Sequence, residues 1–161
     1  MSDDVEARLD RLEARVAELE GRGKPPHAAP SGGTVTYQGD VHLHGDVEWS
    51  IGYSPDAILE LSVARTAEVL AALGHPVRLR IVRTLLRGPA NASNLQEAVE
   101  LGSTGQVYHH LKALGSAGVV EQHARGEFRI SARKVVPLLV SMLAAADISG
   151  EVASPPVRAN V

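Results

Sequence analysis

"STGQVYHHLKALGSAGVV", residues 103–120, predicts a short helix that begins after Ser103 and ends at a glycine. Val107, Leu111 and Leu114 recur at spacings of four and three, so they form one apolar face that packs on a core. His110 lies beside that face and is expected to be packed. The remaining polar side chains lie on the outer face. This helix is therefore either an ordinary surface helix or one whose outer face binds a partner.

The segments on both sides of this helix predict a small domain around it. Upstream, "HPVRLRIVRTLLRG" has one apolar face surrounded by arginines and ends at Gly88. Ser93 is expected to cap the next helix, "NLQEAVEL", which ends in a turn at Gly102. Downstream, a turn at "ARGE" followed by the alternating "FRIS" predicts a β-hairpin. Two helices joined by a short glycine-containing turn and followed by a hairpin form a winged helix-turn-helix.

Two further helices are expected to flank this unit. "SPDAILELSVARTAEVLAALG" predicts one long helix from Pro55 to Leu73, with Ser54 as its N-cap and Gly74 at its end. Residues 133–146, "RKVVPLLVSMLAAA", predict a final helix that is apolar on most sides, which is typical of a helix buried in an interface.

Charge is distributed unevenly along the 161 residues. Residues 1–64 carry a net charge of −7 and residues 65–134 a net charge of +5. This segregation favours an anionic partner for the later block over a scatter of solvated charges. The chain has no cysteine, no signal-peptide pattern and no run of about 18 apolar residues. We therefore expect a soluble cytoplasmic protein without disulfides or thiolate metal sites.

The N-terminal 22 residues have the pattern of a coiled coil. Arginine occupies every g position and glutamate every e position, which favours a parallel oligomer over an antiparallel one. A single amphipathic helix docked on its own domain is the alternative. Because about 18 residues are marginal for an isolated coiled coil, a second oligomer contact is expected. The a and d positions are Val5, Leu9, Leu12, Val16 and Leu19.

A proline- and glycine-rich linker, residues 23–33, precedes a small β module at residues 34–53. The odd positions of this β module are apolar or glycine throughout, which indicates three-residue turns or extended segments bent at glycines. Because about 20 residues are too few to fold alone, the module is expected to pack on its counterpart in another subunit or on the main domain. His42 and His44 share its polar face, but no third ligand is identifiable, so we expect solvent-facing histidines and no metal site.

The stretches "VLAALGHPVRLRIVRTLLRGP" and "STGQVYHHLKALGSAGVVEQHARGEFRIS" resemble the ArsR-type bacterial winged-helix repressors over about residues 65–146. This resemblance implies a dimer built by the first and last helices, residues 55–73 and 133–146. It also implies DNA base contacts from Thr104, Gly105, Tyr108 and His109. Arg125 corresponds to the family's wing-tip contact. The chain lacks the family's Cys-x-Cys pattern and its Asp/His ligands on the final helix, so metal sensing is not expected.

We therefore expect a mainly α protein with small β elements: a short coiled coil, a linker, a small antiparallel or bent β module, a winged helix-turn-helix domain (54–148) and a disordered tail (149–161). We expect it to bind double-stranded DNA sequence-specifically as a homodimer or higher homo-oligomer. Its expected role is that of a repressor that reads an inverted repeat. We expect it to be associated with the nucleoid and to need no cofactor. A protein-binding scaffold is the alternative, and an enzyme is not expected because no catalytic set converges. The expected DNA-contacting residues are Arg78, Arg80, Ser103, Thr104, Gly105, Gln106, Tyr108, His109, Lys112, Arg125 and Arg129.

Overall fold

The computed structural model describes residues 32–152; the expected coiled coil, most of the linker and the end of the tail lie outside this range. The described part is mainly helical with two small sheets, which confirms the predicted α+β class. Its elements are β1 (Val35–His42), β2 (Asp46–Tyr53), α1 (Pro55–Leu59), α2 (Val63–Leu73), α3 (Pro76–Leu85), β3 (Ala90–Asn91), α4 (Ala92–Val99), α5 (Thr104–Ser116), β4 (Glu121–Ala124), β5 (Glu127–Arg129) and α6 (Ala132–Ile148).

The described residues form two compact units. The smaller contains residues 32–37 and 50–60, and the larger contains residues 38–49 and 61–152. Strands β1 and β2 pair as a hairpin with a three-residue loop. Gly45, the last loop residue, has a φ of +84°, the left-handed conformation that such a loop requires there. The three-residue turn was the first of the two arrangements expected from the sequence.

Within the larger unit, the loop end of the hairpin packs on other elements. Gly39 lies so close to α6 that a Cβ added to it would be 2.9 Å from Cγ1 of Val136. The ring of His44 lies against Gly88, at 3.4 Å from the position of an added Cβ. Most apolar odd positions, such as Trp49, are half-buried and most even positions are exposed, as the alternation predicted, but Val35, Leu43 and Tyr53 are exposed. Packing on the main domain was one of the two arrangements expected for this module.

The prediction of one continuous helix from Pro55 to Leu73 is wrong. Helix α1 begins after Ser54, whose Oγ accepts a hydrogen bond from the backbone N–H of Ala57 as expected, but it ends at Leu59. Helix α2 begins after Ser62, whose Oγ accepts from the backbone N–H of Arg65. A serine that caps a helix cannot continue the preceding one, because its own backbone is not helical.

Three helices of the larger unit, α3, α4 and α5, form the predicted helix-turn-helix and its core. Each directs its apolar face inward, as the spacing predicted, and the side chains on these faces are almost completely buried. The turn before α5 contains Gly102, and Ser103 is the N-cap of α5. The most deeply buried members of the core are Ile81, Val82, Leu95, Val99, Val107 and Leu114.

The predicted wing is present as a three-stranded sheet in the order β3-β5-β4. The third strand, β3, was not predicted; Ala90 pairs with Phe128, and Asn91 pairs with Glu127. Asn91 is also the N-cap of α4, because its Oδ1 accepts from the backbone N–H of Asn94 at 2.9 Å. The prediction that Ser93 caps this helix is therefore wrong: asparagine, two residues earlier, is an equally good cap and already has an extended backbone in the sheet.

Helix α6 extends the predicted final helix by one residue at its start and two at its end. Val136 and Leu138 are buried within the chain, whereas Leu143 and Ile148 are exposed. None of the helices in residues 32–152 is long and apolar enough to cross a membrane.

Candidate nucleic-acid interface

Helix α5 carries the densest group of candidate DNA-contacting residues, and local capping fixes where it begins. The backbone N–H of Gln106 donates to Ser103 Oγ at 3.4 Å, and the Gln106 side-chain oxygen accepts from the backbone N–H of Gly102 at 3.2 Å. The first is an N-cap bond, and the second returns to the residue before the N-cap, one position earlier than in a capping box. Both side chains that the sequence assigned to DNA are thus used within the protein to fix the first turn of the helix.

The outer face of α5 is open to solvent, as the burial of its opposite face requires. Gly105, Tyr108, His109 and Lys112 are exposed, and Thr104 is half-buried. The ring of Tyr108 is 49% exposed. Five predicted residues are therefore brought together on one helix face, where the amide groups of the first turn supply a positive end of the helix dipole.

Tyr108 also contacts the wing. Its ring lies edge-on to that of Phe128 in β5, with centroids 6.0 Å apart and an interplanar angle of 72°. Such an edge-to-face pair is favourable and holds the tyrosine ring against the sheet. Sequence reasoning missed Phe128; its position as the chain's one phenylalanine, within "FRIS", was the available signal.

The four candidate arginines differ in what their side chains contact. The guanidinium groups of Arg80 and Arg125 have no ion pair or hydrogen bond with any described residue, and Arg125 lies at the wing turn. Arg129 Nε donates to Glu121 Oε1 at 2.8 Å, which offsets its charge within the wing. Arg78 donates to the backbone carbonyls of Ala72 at 2.5 Å and Ala71 at 2.7 Å. Arg78 therefore donates hydrogen bonds to backbone carbonyls at the end of α2, and its guanidinium group is not free to contact a phosphate.

A histidine pair links the start of α3 to α5. The rings of His75 and His110 are 4.9 Å apart and tilted by 45°. Burial, with smaller contributions from His75, His109 and Arg78, lowers the pKa of His110 below its ordinary value. The packed position of His110 was predicted, but its partner was not. The signal for His75 was its place directly before Pro76, since proline favours the first helical position and the preceding residue is then the N-cap.

His42 on the hairpin has acidic neighbours. Its Nδ1 is 2.7 Å from Asp46 Oδ1 and its Nε2 is 3.2 Å from Asp40 Oδ1. The hydrogen bond to Asp46 and the charge of Asp40 raise the pKa of His42. Both ring nitrogens thus face carboxylates. Within residues 32–152, no group of three or more histidine, aspartate or glutamate side chains is placed to hold a metal ion.

Fold and site together define a protein with a winged helix-turn-helix domain. Residues 73–123 match the family model described as a helix-turn-helix domain, which confirms the motif that the sequence resemblance predicted.

Several solved structures are similar to this chain. The transcriptional repressor BigR from Xylella fastidiosa is 25% identical, with 56% of this chain and 94% of that chain covered and a TM-score of 0.46. The homodimeric winged helix-turn-helix DNA-binding domain of Mb0332 from Mycobacterium bovis, a possible ArsR-family regulator, is 26% identical, with 62% and 94% covered and a TM-score of 0.47. NolR from Sinorhizobium fredii is 23% identical, with 61% and 95% covered and a TM-score of 0.47. No curated protein matches this chain.

Proposed function

We propose that this protein is a sequence-specific DNA-binding transcriptional regulator. The observation that carries this proposal is the open outer face of α5, where Thr104, Gly105, Tyr108, His109 and Lys112 lie together on a helix whose opposite face is buried. A helix of this kind enters the major groove with its first turn nearest the base edges. Gly105 lets the backbone approach the bases, and the side chains beyond it supply donors.

Arg80, Lys112 and Arg125 are the side chains best placed to contact phosphates. Their charged groups are exposed and unpaired with any described residue, so DNA phosphates would not have to displace an existing partner. Arg78 and Arg129, which the sequence also assigned to phosphates, already have partners within the protein. We therefore propose that the first three supply most of the salt-dependent affinity, and that the other two contribute to the shape of the domain.

We also propose a dimer in which α2 and α6 contact a second copy. Apolar side chains on these helices are left open: Val63 is 80% exposed, and Leu70 and Leu143 are each 59% exposed. Large exposed apolar side chains in such numbers mark an interaction surface. A twofold dimer of two such domains would recognise an inverted repeat, and occupying a promoter in this way would repress transcription.

The test is selection of duplexes from a random pool by the full-length protein. Thr104→Ala and His109→Ala should then weaken binding to the selected duplex by about 1–3 kcal/mol per lost base contact and leave binding to unrelated duplexes almost unchanged. Glu48→Gln, at an exposed position of β2, is the matched control and should bind as the parent protein does. Failure to enrich any sequence would favour the alternative, a protein-binding scaffold. Equal losses on all duplexes would remove Thr104 and His109 from base recognition.

The coiled-coil pattern of residues 1–22 lies outside the described residues, and we propose that it sets assembly beyond the winged-helix dimer. Its arginine and glutamate positions are complementary only in a parallel arrangement. Removing residues 1–31 leaves the hairpin in place and should reduce the number of subunits measured by light scattering. Glu13→Arg with Glu20→Arg should cause part of the same loss. Equal subunit numbers for full-length and truncated protein would contradict this role.

A further inference from the structure

The contact between His75 and His110 lies where α3, the helix before the helix-turn-helix, meets α5. His75 is the N-cap of α3, and its Nδ1 accepts a hydrogen bond from the backbone N–H of Val77 at 3.2 Å. His110 is on α5, and its Nδ1 is buried without a hydrogen-bond partner in the described part of the chain. The ring contact between these two residues therefore joins the start of α3 to the middle of α5.

This contact depends on a neutral His110 ring. Because His75 Nδ1 accepts the hydrogen bond that caps α3, its ring proton is assigned to Nε2. A charge on His110 would lie beside the other ring in a partly buried site. The ring centroid of His109 is 5.7 Å from that of His110, and the Arg78 guanidinium group supplies a positive charge nearby.

Arg78 cannot readily move away from such a charge. Its guanidinium group is held by two backbone carbonyls at the end of α2, Ala71 and Ala72. A proton added to His110 would thus meet a fixed positive charge, and none of the described groups that shift the His110 pKa is a carboxylate. Repulsion of this kind is relieved by losing the proton or by separating the two helices.

We propose that His75 is a positioning residue for helix α5, and that protonation of His110 beside the His75 ring weakens the packing of α3 against α5. When His110 is neutral, the ring contact holds α5 in its packed position against α3. When His110 is protonated, the positive charge opposes that position. The consequence for DNA rests on the proposed function: acidification would reduce specific binding by displacing the helix that contacts the bases.

The direction of the pH dependence follows from the pKa of His110. Because folding lowers this pKa, the full contribution of His110 to stability is present above the unfolded-state value of about 6.5 and is lost as the pH falls from there through the lower folded-state value. His42 acts in the opposite direction, since its pKa is raised and its contribution is lost as the pH rises. A comparison of variants therefore isolates the pair better than the pH profile of one protein.

The informative variants change position 75 and keep the helix cap. Aspartate and serine both cap helices well. In His75→Ser the second ring is lost, so the pKa of His110 should return towards its ordinary value. In His75→Asp a carboxylate replaces the imidazole, so the pKa of His110 should rise further than in His75→Ser. His123→Gln, an exposed histidine on β4, is the control and should leave the His110 titration unchanged.

Two measurements on the full-length protein test the pair without DNA. The first is the NMR titration of the His110 ring, assigned by its absence in His110→Gln. The second is the thermal midpoint at about pH 7.5 and about pH 5.5, on either side of the ordinary histidine pKa. The midpoint of the parent protein should fall on acidification, and that of His75→Asp should fall less. An His110 that titrates at or above its ordinary pKa, or an equal fall in parent and His75→Asp, would overturn the proposal.

DNA binding by the same proteins supplies the third measurement, with a duplex selected from a random pool as the probe. Specific affinity of the parent protein should fall between about pH 7.5 and about pH 5.5, and that of His75→Asp should fall less. Protonation of the exposed His109 beside phosphates would give the opposite trend. An affinity that stays constant or rises in acid would overturn the link to DNA. If no duplex is selected, the proposed function fails, and the NMR and thermal results still decide on the pair.

Discussion

Replacing Gly39 by alanine should destabilise the larger unit, because the new methyl group would meet a buried side chain of α6. It would lie 2.9 Å from Cγ1 and 3.0 Å from Cγ2 of Val136, which is closer than packed carbon atoms approach. Val136 is only 1% exposed, so it has little room to rotate away. Overpacking of this kind costs about 1–3 kcal/mol. Gly39 lies in a strand without a positive φ, so alanine recovers about 0.4–1 kcal/mol through the unfolded chain. The net loss in the free energy of unfolding should be about 1–2 kcal/mol.

The complementary change, Val136→Ala, removes the two methyl groups that the new Cβ would meet. Alone it should cost about 2 kcal/mol from lost burial and the space left behind. In the double variant the alanine methyl at position 39 occupies part of that space. The two losses in the free energy of unfolding should therefore not add. We expect the double variant to lose about 2 kcal/mol, whereas independent effects would sum to about 3–4 kcal/mol. This difference is well above the deviation from additivity of about 0.5 kcal/mol that independent sites show.

Urea unfolding of the parent, both single variants and the double variant measures this coupling. The midpoint should shift while the slope, which reports the surface exposed on unfolding, stays constant. Gln38→Ala, at the neighbouring exposed position of β1, is the control and should change stability by no more than about 0.5 kcal/mol. Losses that add to within about 0.5 kcal/mol would show that Gly39 and Val136 do not pack against each other in solution.

Three further predictions concern the wing, the core and the hairpin. Arg125→Ala should weaken binding to all duplexes and reduce the slope of log affinity against log salt by about 1, as expected for one lost phosphate contact; an unchanged slope would place Arg125 away from DNA. Leu114→Ala should lower the free energy of unfolding by about 2–5 kcal/mol, because the side chain is fully buried in the core, and a loss below about 1 kcal/mol in urea unfolding would contradict that placement. Asp46→Asn should lower the pKa of His42 towards its ordinary value in an NMR titration, because it replaces the carboxylate that accepts the ring's hydrogen bond; an unchanged titration would mean that the contact is absent in solution.

Helix α5 could be predicted well from sequence because its determinants are local. Ser103 and Gln106 make their capping hydrogen bonds within one turn, and the spacing of Val107, Leu111 and Leu114 sets the buried face. Once that face is fixed, the outer face that makes up the candidate site follows by geometry. The three-residue hairpin loop is another local feature, fixed by glycine at its last position.

Features that depend on distant partners could not be predicted in this way. Arg78 was assigned to phosphates because its charge is visible in sequence, but its hydrogen bonds go to carbonyls six and seven residues upstream, at the end of another helix. The break between α1 and α2 was missed because the apolar spacing continues through it. The two-residue strand β3 is too short to have a periodicity, and Phe128 opposite Ala90 is known only once the sheet is formed.

The pairing of β3 with β5 makes the order of folding predictable. Asn91 meets Glu127, 36 residues further along the chain, and α4 and α5 lie wholly between them. The β4–β5 hairpin can form from local contacts within microseconds, whereas closing the longer loop is favourable only after the intervening helices have packed. The third strand should therefore join the wing late, after the rate-limiting step. Substitutions at Phe128 should then speed unfolding and leave the folding rate nearly unchanged, so that the wing controls how long each folded molecule persists.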